Sequence, residues 1–388
     1  MTFDIEFSAG ERSNVKFAPL EALENGGIMA SQRYDNIDAL RAIAATAVLI
    51  QHFFGDVIRE ASNPLGPLLP IFSASVGNFD LGRFGVILFF LISGFVVPFS
   101  IRGTQPLKRF AISRFFRLYP AMWLAIFILS AIFTLGGQEP SAATIIANMT
   151  MVPTFLGQPW LSGIYWTLSI ELVFYCFCAL LFWRSVLFRP LAVTALALML
   201  VASTVGPIIL RLSGGMHLPV QYVGLHVSFL FCGLLLRMAM VDRMRSAWTG
   251  AGVVALVQFA ALMAIGSFSL ERGDSFFIIG KAPIIYAYIA AFVLFIASVR
   301  LGKPHSPALS LIGAISYSIY LFHGPIALIV YHYIPLTGEY RDLLVGFASL
   351  TLTFLFSWLV YRFLETPMIA LGRKMSNPPQ TPLVPQSS

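Results

Sequence analysis

Charge is what this chain has least of: only 11% of its 388 residues are charged. A soluble domain carries about 25%, so the shortage excludes an ordinary water-soluble globule. Acids are the scarcer sign, 18 against 25 bases, for a formal net charge of +7. In a soluble protein that excess raises the question of nucleic acid; here the bases gather at the ends of apolar runs, and no nucleic-acid partner is expected. Cysteine is nearly missing as well. Cys176, Cys178 and Cys232 lie inside apolar stretches, with neither metal-ligand nor disulfide-framework spacing, and read as reduced packing residues. There is no GxSxG, zinc-ligand helix or Walker loop, and no metal is expected. The first 36 residues carry no cleavable signal pattern. They are expected to stay in the cytoplasm.

What the chain has in quantity is hydrophobic side chains, 57% of the total, in long runs. About 20 apolar residues at 1.5 Å each span a hydrocarbon core roughly 30 Å thick. Ten runs qualify: Ile37 to Phe54, Phe84 to Ile101, Leu118 to Leu135, Ile164 to Trp183, Leu191 to Leu210, Tyr222 to Met240, Thr249 to Leu270, Ala282 to Val299, Leu309 to Ile334 and Leu343 to Tyr361. A spanning strand would be about half as long and would alternate, whereas FGVILFFLISGFVVPFSI is apolar almost throughout. The expected fold is an all-α integral membrane bundle of about ten transmembrane helices. Placing the N-terminus in the cytoplasm puts 19 of the 25 bases inside and 6 outside. That asymmetry supports the count and puts both termini in the cytoplasm. The chain divides into an N-terminal tail over 1–36, a membrane domain over 37–367 and a proline-rich tail over 368–388 with too little apolar surface to pack. The lipid bilayer is thus one partner, and the expected address is a bacterial inner (cytoplasmic) membrane.

Ionisable side chains inside spanning helices cost at least about 2.5–3.5 kcal/mol on insertion scales, so each is a functional candidate. In the first span Arg41 and His52 are eleven residues apart, three turns plus about 20°, and share one face about 16 Å apart in depth. Asp38 lies three residues before Arg41 on the same stripe and can pair with it. A bland account stands beside this one, in which the pair only orients the helix end and His52 bonds a carbonyl. Glu171, in WTLSIELVFY, sits at a depth near that of His52 and needs a partner. On neighbouring helices it can orient the imidazole; otherwise it bonds a hydroxyl across the bundle.

Five bases, Arg102, Lys108, Arg109, Arg114 and Arg117, occupy sixteen residues between the second and third spans. Arg114 and Arg117 share a helical face and can clamp a phosphate or diphosphate, or simply anchor to anionic lipid. Tyr317, Tyr320 and His323 precede Gly324 and Pro325, where a bend is expected, with His323 on a carbonyl that the proline frees. Ser93 and Gly94 are small residues that bring helices close. Arg211 with His217 in an outer loop, and Arg362 with Glu365 at the end of the last span, read as surface features.

Taken in order, Arg41 with ten residues before His52, FFLISGF, Arg114 and Arg117 followed by LYP, WTLSIELVFY, SYSIYLFHGP and FLETP resemble the acyltransferase-3 family of integral-membrane O-acyltransferases. The resemblance covers Ile37 to Pro367. It implies transfer of an acyl group, most often acetyl, from acyl-coenzyme A (acetyl-CoA as co-substrate) to a hydroxyl of a carbohydrate or related acceptor such as a surface polysaccharide, lipid-linked glycan or macrolide. It points to Arg41, His52, Arg114 and Arg117 as site residues. On that implication His52 is the base, Glu171 its orienter, and Arg41, Arg114, Arg117 and Ser93 the donor site. Asp38, Tyr317, Tyr320 and His323 support them, with Tyr320 or His323 donating to the oxyanion. Where the family often has two acids in succession, Glu171 is followed by Leu172. The competing class is a proton-coupled transporter of a polar solute, which also needs many spans, a broken helix and intramembrane His and Glu.

Overall fold

The computed structural model describes the backbone over residues 22–60, 78–212, 222–271, 281–302, 306–337 and 339–376, and side chains over 36–55, 78–208, 222–267, 281–302, 306–337 and 339–376. Among the described residues the architecture is helical, without strands. The helices are α1 (Ala22–Glu60), α2 (Leu81–Val96), α3 (Pro106–Leu135), the short α4 (Ala142–Met149), α5 (Trp166–Trp183), α6 (Pro190–Leu212) and α7 (Val223–Met240). There follow α8 (Arg245–Glu271), α9 (Lys281–Leu301), α10 (Pro307–Ala314), α11 (Ser316–Tyr333), α12 (Arg341–Val360) and α13 (Thr366–Ser376). Among the described residues nine are long and apolar enough to cross a bilayer, and α10 with α11, bent by 66° at Ile315, makes a tenth if the pair is counted as one broken span.

Burial ranks the helices. The spanning part of α7 is 78% buried inside the protein and that of α2 61%, whereas α6 is 28% and therefore a lipid-facing outer helix. With no hydrophobic force between helices in lipid, close approach decides packing. Gly94 of α2 lies so near Leu230 of α7 that a Cβ would sit 1.8 Å from the Leu230 carbonyl oxygen, and Gly233 of α7 meets Leu91 in the same way at 2.3 Å. Around this pair stand α1, against α2, α10, α11 and α12; α5, against α7 and α2; and α3, against α11 and α13.

Three boundaries differ from the sequence reading. Helix α1 starts at Ala22, earlier than the first apolar run, and the helical chain continues to Ser376, beyond Pro367. The polar residues at both ends extend helices instead of ending them; the rest of each expected tail, 1–21 and 377–388, lies outside the described residues. The third difference is the bend. Helix α11 runs through Gly324 and Pro325 without a break. Proline leaves the carbonyl four residues earlier without its backbone donor, and here Tyr165 Oη supplies it, donating to the Leu321 carbonyl at 2.8 Å. His323, expected on that carbonyl, has its Nδ1 3.2 Å from the Ile319 oxygen. All three cysteines are free thiols, Cys178 and Cys232 buried and Cys176 on the outer surface of its helix.

Candidate active site

A cavity of about 130 Å³ opens between α1, α2, α3, α5 and α11, and most of the sequence candidates meet on its wall. Arg41, Ser93, Arg114, Arg117, Glu171, Tyr317 and Tyr320 line it, together with Thr167, Tyr175 and an apolar set that includes Phe89, Phe90 and Val97. The side chains come from five helices, so the site is a product of the packing. Three guanidiniums and one carboxylate line it, and with the Asp38 carboxylate paired to Arg41 a surplus of positive charge still stands within the bundle. Such a surplus is costly unless an anionic ligand completes it.

The charges are held at several levels. Asp38 Oδ1 accepts from Arg41 Nη1 at 2.8 Å across one helical turn, as the spacing requires. Arg114, on the third turn of α3, donates to Ser100 Oγ at 3.1 Å, while its guanidinium lies 5.5 Å from the ring centroids of both Phe110 and Tyr175. Its Nε is buried with no partner among the described residues. Glu171 Oε1 accepts from Ser93 Oγ at 2.9 Å and Tyr175 Oη at 2.6 Å. Tyr175 was absent from the sequence candidates, although four residues after Glu171 is the spacing that brings two helical side chains together.

The pairing of Glu171 with His52 does not form. Helix α5 packs on α7 and α2, and the carboxylate turns to α2 and to its own helix. His52 instead lies against His323 of α11, ring centroids 5.1 Å apart and tilted by 41°. The two regions are joined by Tyr320, which lines the cavity and whose ring centroid is 5.8 Å from that of His323. Tyr317, Tyr320 and His323 climb α11 in steps of three residues, about 4.5 Å each. Tyr317 Oη donates to the Leu118 carbonyl at 2.7 Å, fixing α11 on α3.

The oxyanion role expected of Tyr320 or His323 meets a proton count. The Tyr320 hydroxyl donates to the Ile164 carbonyl and accepts from Thr167 Oγ1, the latter at 2.7 Å. His323 carries its proton on Nδ1, toward the Ile319 carbonyl, because a carbonyl can only accept. Both donors are committed to backbone.

Glu365, read as a surface residue, is 4% exposed and accepts from Ser318 Oγ. A π-helical turn over Tyr361–Glu365, a device that re-aims side chains within a continuous helix, brings it inward. His217 and the side chain of Arg211 lie outside the described residues. Among the described residues no three His, Cys, Asp or Glu side chains gather as a metal site.

Residues 34–362 match the acyltransferase-3 family, described as an acyltransferase domain. The chain belongs to that family. It is 30% identical over 167 residues to nodulation protein 10 of Rhizobium leguminosarum bv. viciae, an alignment covering 38% of this chain and 43% of that one. It is 27% identical over 158 residues to acyltransferase MdmB of Streptomyces mycarofaciens, covering 37% and 38% respectively. The chain thus spans about two fifths of the length of the curated relatives it matches. No solved structure matches.

Proposed function

We propose that this membrane protein transfers an acyl group, most simply acetyl, from acyl-coenzyme A to a hydroxyl of a carbohydrate or related acceptor. The family membership supports acyl transfer, and the observation that carries the donor is the arginine-lined cavity. Arg114 and Arg117 would hold the donor's phosphates by charge-assisted hydrogen bonds, with Arg41 deeper on the same wall. Pockets for whole ligands run about 300–1,000 Å³, so the 130 Å³ here suits the thin pantetheine arm, with the nucleotide outside at the basic start of α3. The positive-inside rule makes that end cytoplasmic, where acyl-coenzyme A is made.

The arm would run past Ser93 and Glu171 toward Tyr320, bringing the thioester to His52, about 16 Å beyond Arg41 along α1. His52 takes the acceptor hydroxyl proton as that oxygen bonds to the thioester carbonyl carbon. The C–S bond then breaks, and the departing thiolate of coenzyme A receives the proton back from His52. The ester oxygen comes from the acceptor, and no metal is needed. The acceptor class, a surface polysaccharide, lipid-linked glycan or macrolide, rests on the family resemblance.

Membranes containing the protein, supplied with acetyl-labelled acetyl-coenzyme A, should pass label into alkali-labile esters on glycan, lipid or small-molecule hydroxyls. Label that stays on the donor while a pH gradient drives solute uptake would replace the enzyme with a proton-coupled transporter.

A further inference from the structure

The chain between α3 and α5 does not stay outside the bundle. It leaves α3 at Leu135, the end away from the arginines, and turns back inward. Trp123 Nε1, twelve residues or about 18 Å before that end, donates to the Met149 carbonyl at 3.1 Å. Ser169 Oγ of α5 donates to the Met151 carbonyl at 2.5 Å. Two further helices give a similar depth. Glu171 bonds Ser93, twelve residues into α2, so Trp166 lies about 10 Å inside the start of that helix. Tyr320, bonded to the Ile164 carbonyl and to Thr167, is thirteen residues or about 20 Å from the far end of α11. In a hydrocarbon core roughly 30 Å thick, α5 therefore begins near mid-depth. In place of its missing half stand α4, the 3₁₀ turn Pro153–Leu156 and irregular chain.

Non-helical backbone at that depth survives only where protein buries it or water reaches it. Protein covers much of this segment. Asn148, fully buried, donates through Nδ2 to the Thr144 and Pro159 carbonyls, each at 2.9 Å, and accepts from the Leu161 N–H through Oδ1 at 3.0 Å. Ser162 and Ile164 sit against Gly324 of α11, where a Cβ would be 3.6 Å from Ser162 Oγ and 3.2 Å from Ile164 Cδ1. Gly163 between them is different: it is exposed, and a Cβ there would meet nothing within 4 Å among the described residues. Hydrocarbon cannot bond the peptide groups of an exposed, non-helical residue, so water is the neighbour that fits.

We infer that the break before α5 is the acceptor's entrance, a water-filled vestibule beside Gly163 that leads from the face away from the arginines to Thr167 and Tyr320 on the cavity wall. This rests on the transferase reading. Gln158–Tyr165 contains no charged residue. It offers the Ser162 hydroxyl, the Trp160 indole and the exposed Gly163 peptide, neutral donors and acceptors beside an aromatic ring, which suit an uncharged polyol. The arginines, at the other end of the cavity, suit an anion. Donor and acceptor thus approach from opposite ends, and the acceptor hydroxyl arrives at the turn of α11 that carries Tyr320 and His323, the ring lying against His52.

The test uses Gly163→Cys in full-length protein whose three native cysteines are replaced by alanine, in right-side-out membrane vesicles. A charged methanethiosulfonate added outside should label Gly163→Cys but not Met199→Cys, on the lipid-facing helix α6. Transfer from labelled acetyl-coenzyme A, measured before labelling, after it and after dithiothreitol, should fall in proportion to the fraction labelled and return on reduction. Donor retention should not change, which separates a blocked entrance from a damaged donor site. Labelling by a lipid-soluble maleimide and not by the charged reagent would place Gly163 against lipid and overturn the vestibule. Full labelling with undiminished transfer would send the acceptor elsewhere, and lost donor retention would make the space part of the donor cavity; either result overturns the inference. Wild-type protein that transfers nothing while Gly163→Cys is labelled sinks the transferase reading itself, and the acceptor with it.

Discussion

The cavity and the histidine pair are two polar regions within one bundle, both touched by the Tyr320 ring, and they differ in the kind of polar atom each leaves open. In the cavity Glu171 receives two hydrogen bonds, Arg41 has its aspartate, and Arg114 is held by a serine and two aromatic faces. The cavity's open buried atom is a donor, Arg114 Nε, whereas at the histidine pair it is His323 Nε2, an acceptor; neither has a partner among the described residues. A region with most of its bonds made can hold a ligand without reorganising, which suits binding. A buried acceptor without a partner is uncommon in native proteins and marks a candidate for chemistry. On the proposed function the cavity would bind and the histidine pair would react, and that division can be broken from either side.

The largest effect should come from the reactive side. His52→Ala should cut transfer by about 10²–10⁴-fold, while the protein still inserts and still binds donor, measured as retention of labelled acetyl-coenzyme A. Loss of donor retention in this variant would merge the two regions into one.

Next comes the binding side. Arg114→Ala with Arg117→Ala should raise donor KM about 100-fold, since each charge-assisted bond contributes about 1.5–3 kcal/mol and the two need not add. At saturating donor kcat should be close to wild type. A fall in kcat with KM unmoved would put these arginines in the chemical step; unchanged donor dependence with failed insertion would make them lipid anchors.

Glu171→Gln probes the boundary between the regions. The amide keeps one acceptor oxygen for Ser93 and Tyr175 but removes the negative charge among three arginines. Transfer should fall by about tenfold through a shifted cavity wall, with donor KM no higher than wild type, because added positive potential favours an anionic donor. A loss as large as that of His52→Ala would restore Glu171 to the proton path. Measured kcat and KM for the two variants side by side decide it.

The sequence made the nine or ten spans legible because a hydrocarbon core demands unbroken apolar runs, and it made the Asp38–Arg41 pair legible because both lie on one helix. The Glu171–His52 partnership failed because it depended on which helices are neighbours, and near-equal depth in the membrane does not specify that. Arg114 and Arg117 reached the cavity wall as their shared face allowed, yet Tyr175, one turn from Glu171, went unnoticed beside longer-range pairings. Glu365 looked like a surface cap at a helix end; the π-turn that buries it has no single-residue signature. Pro325 gave a true signal, a freed carbonyl, and a false consequence. Whether a helix bends there depends on a donor from elsewhere in the chain, here Tyr165.

That donor offers the smallest and most selective test. Tyr165 is fully buried, and its hydroxyl ends on the Leu321 carbonyl, two residues before His323 and away from the arginines. Tyr165→Phe keeps the ring and removes one hydrogen bond, leaving a carbonyl unsatisfied at a cost of about 1–3 kcal/mol. The carbonyl belongs to the helix that carries His323, so loosening it should disturb the ring contact with His52 more than the cavity. The expected outcome is a Tm lower by a few degrees and a kcat lower by a few-fold, with donor KM and donor retention as in wild type. Equal losses in kcat and donor affinity would mean that α11 moves as a rigid unit and that the two regions act as one; a change in kcat alone would show that the histidine pair can be detuned while the arginine cavity stays intact.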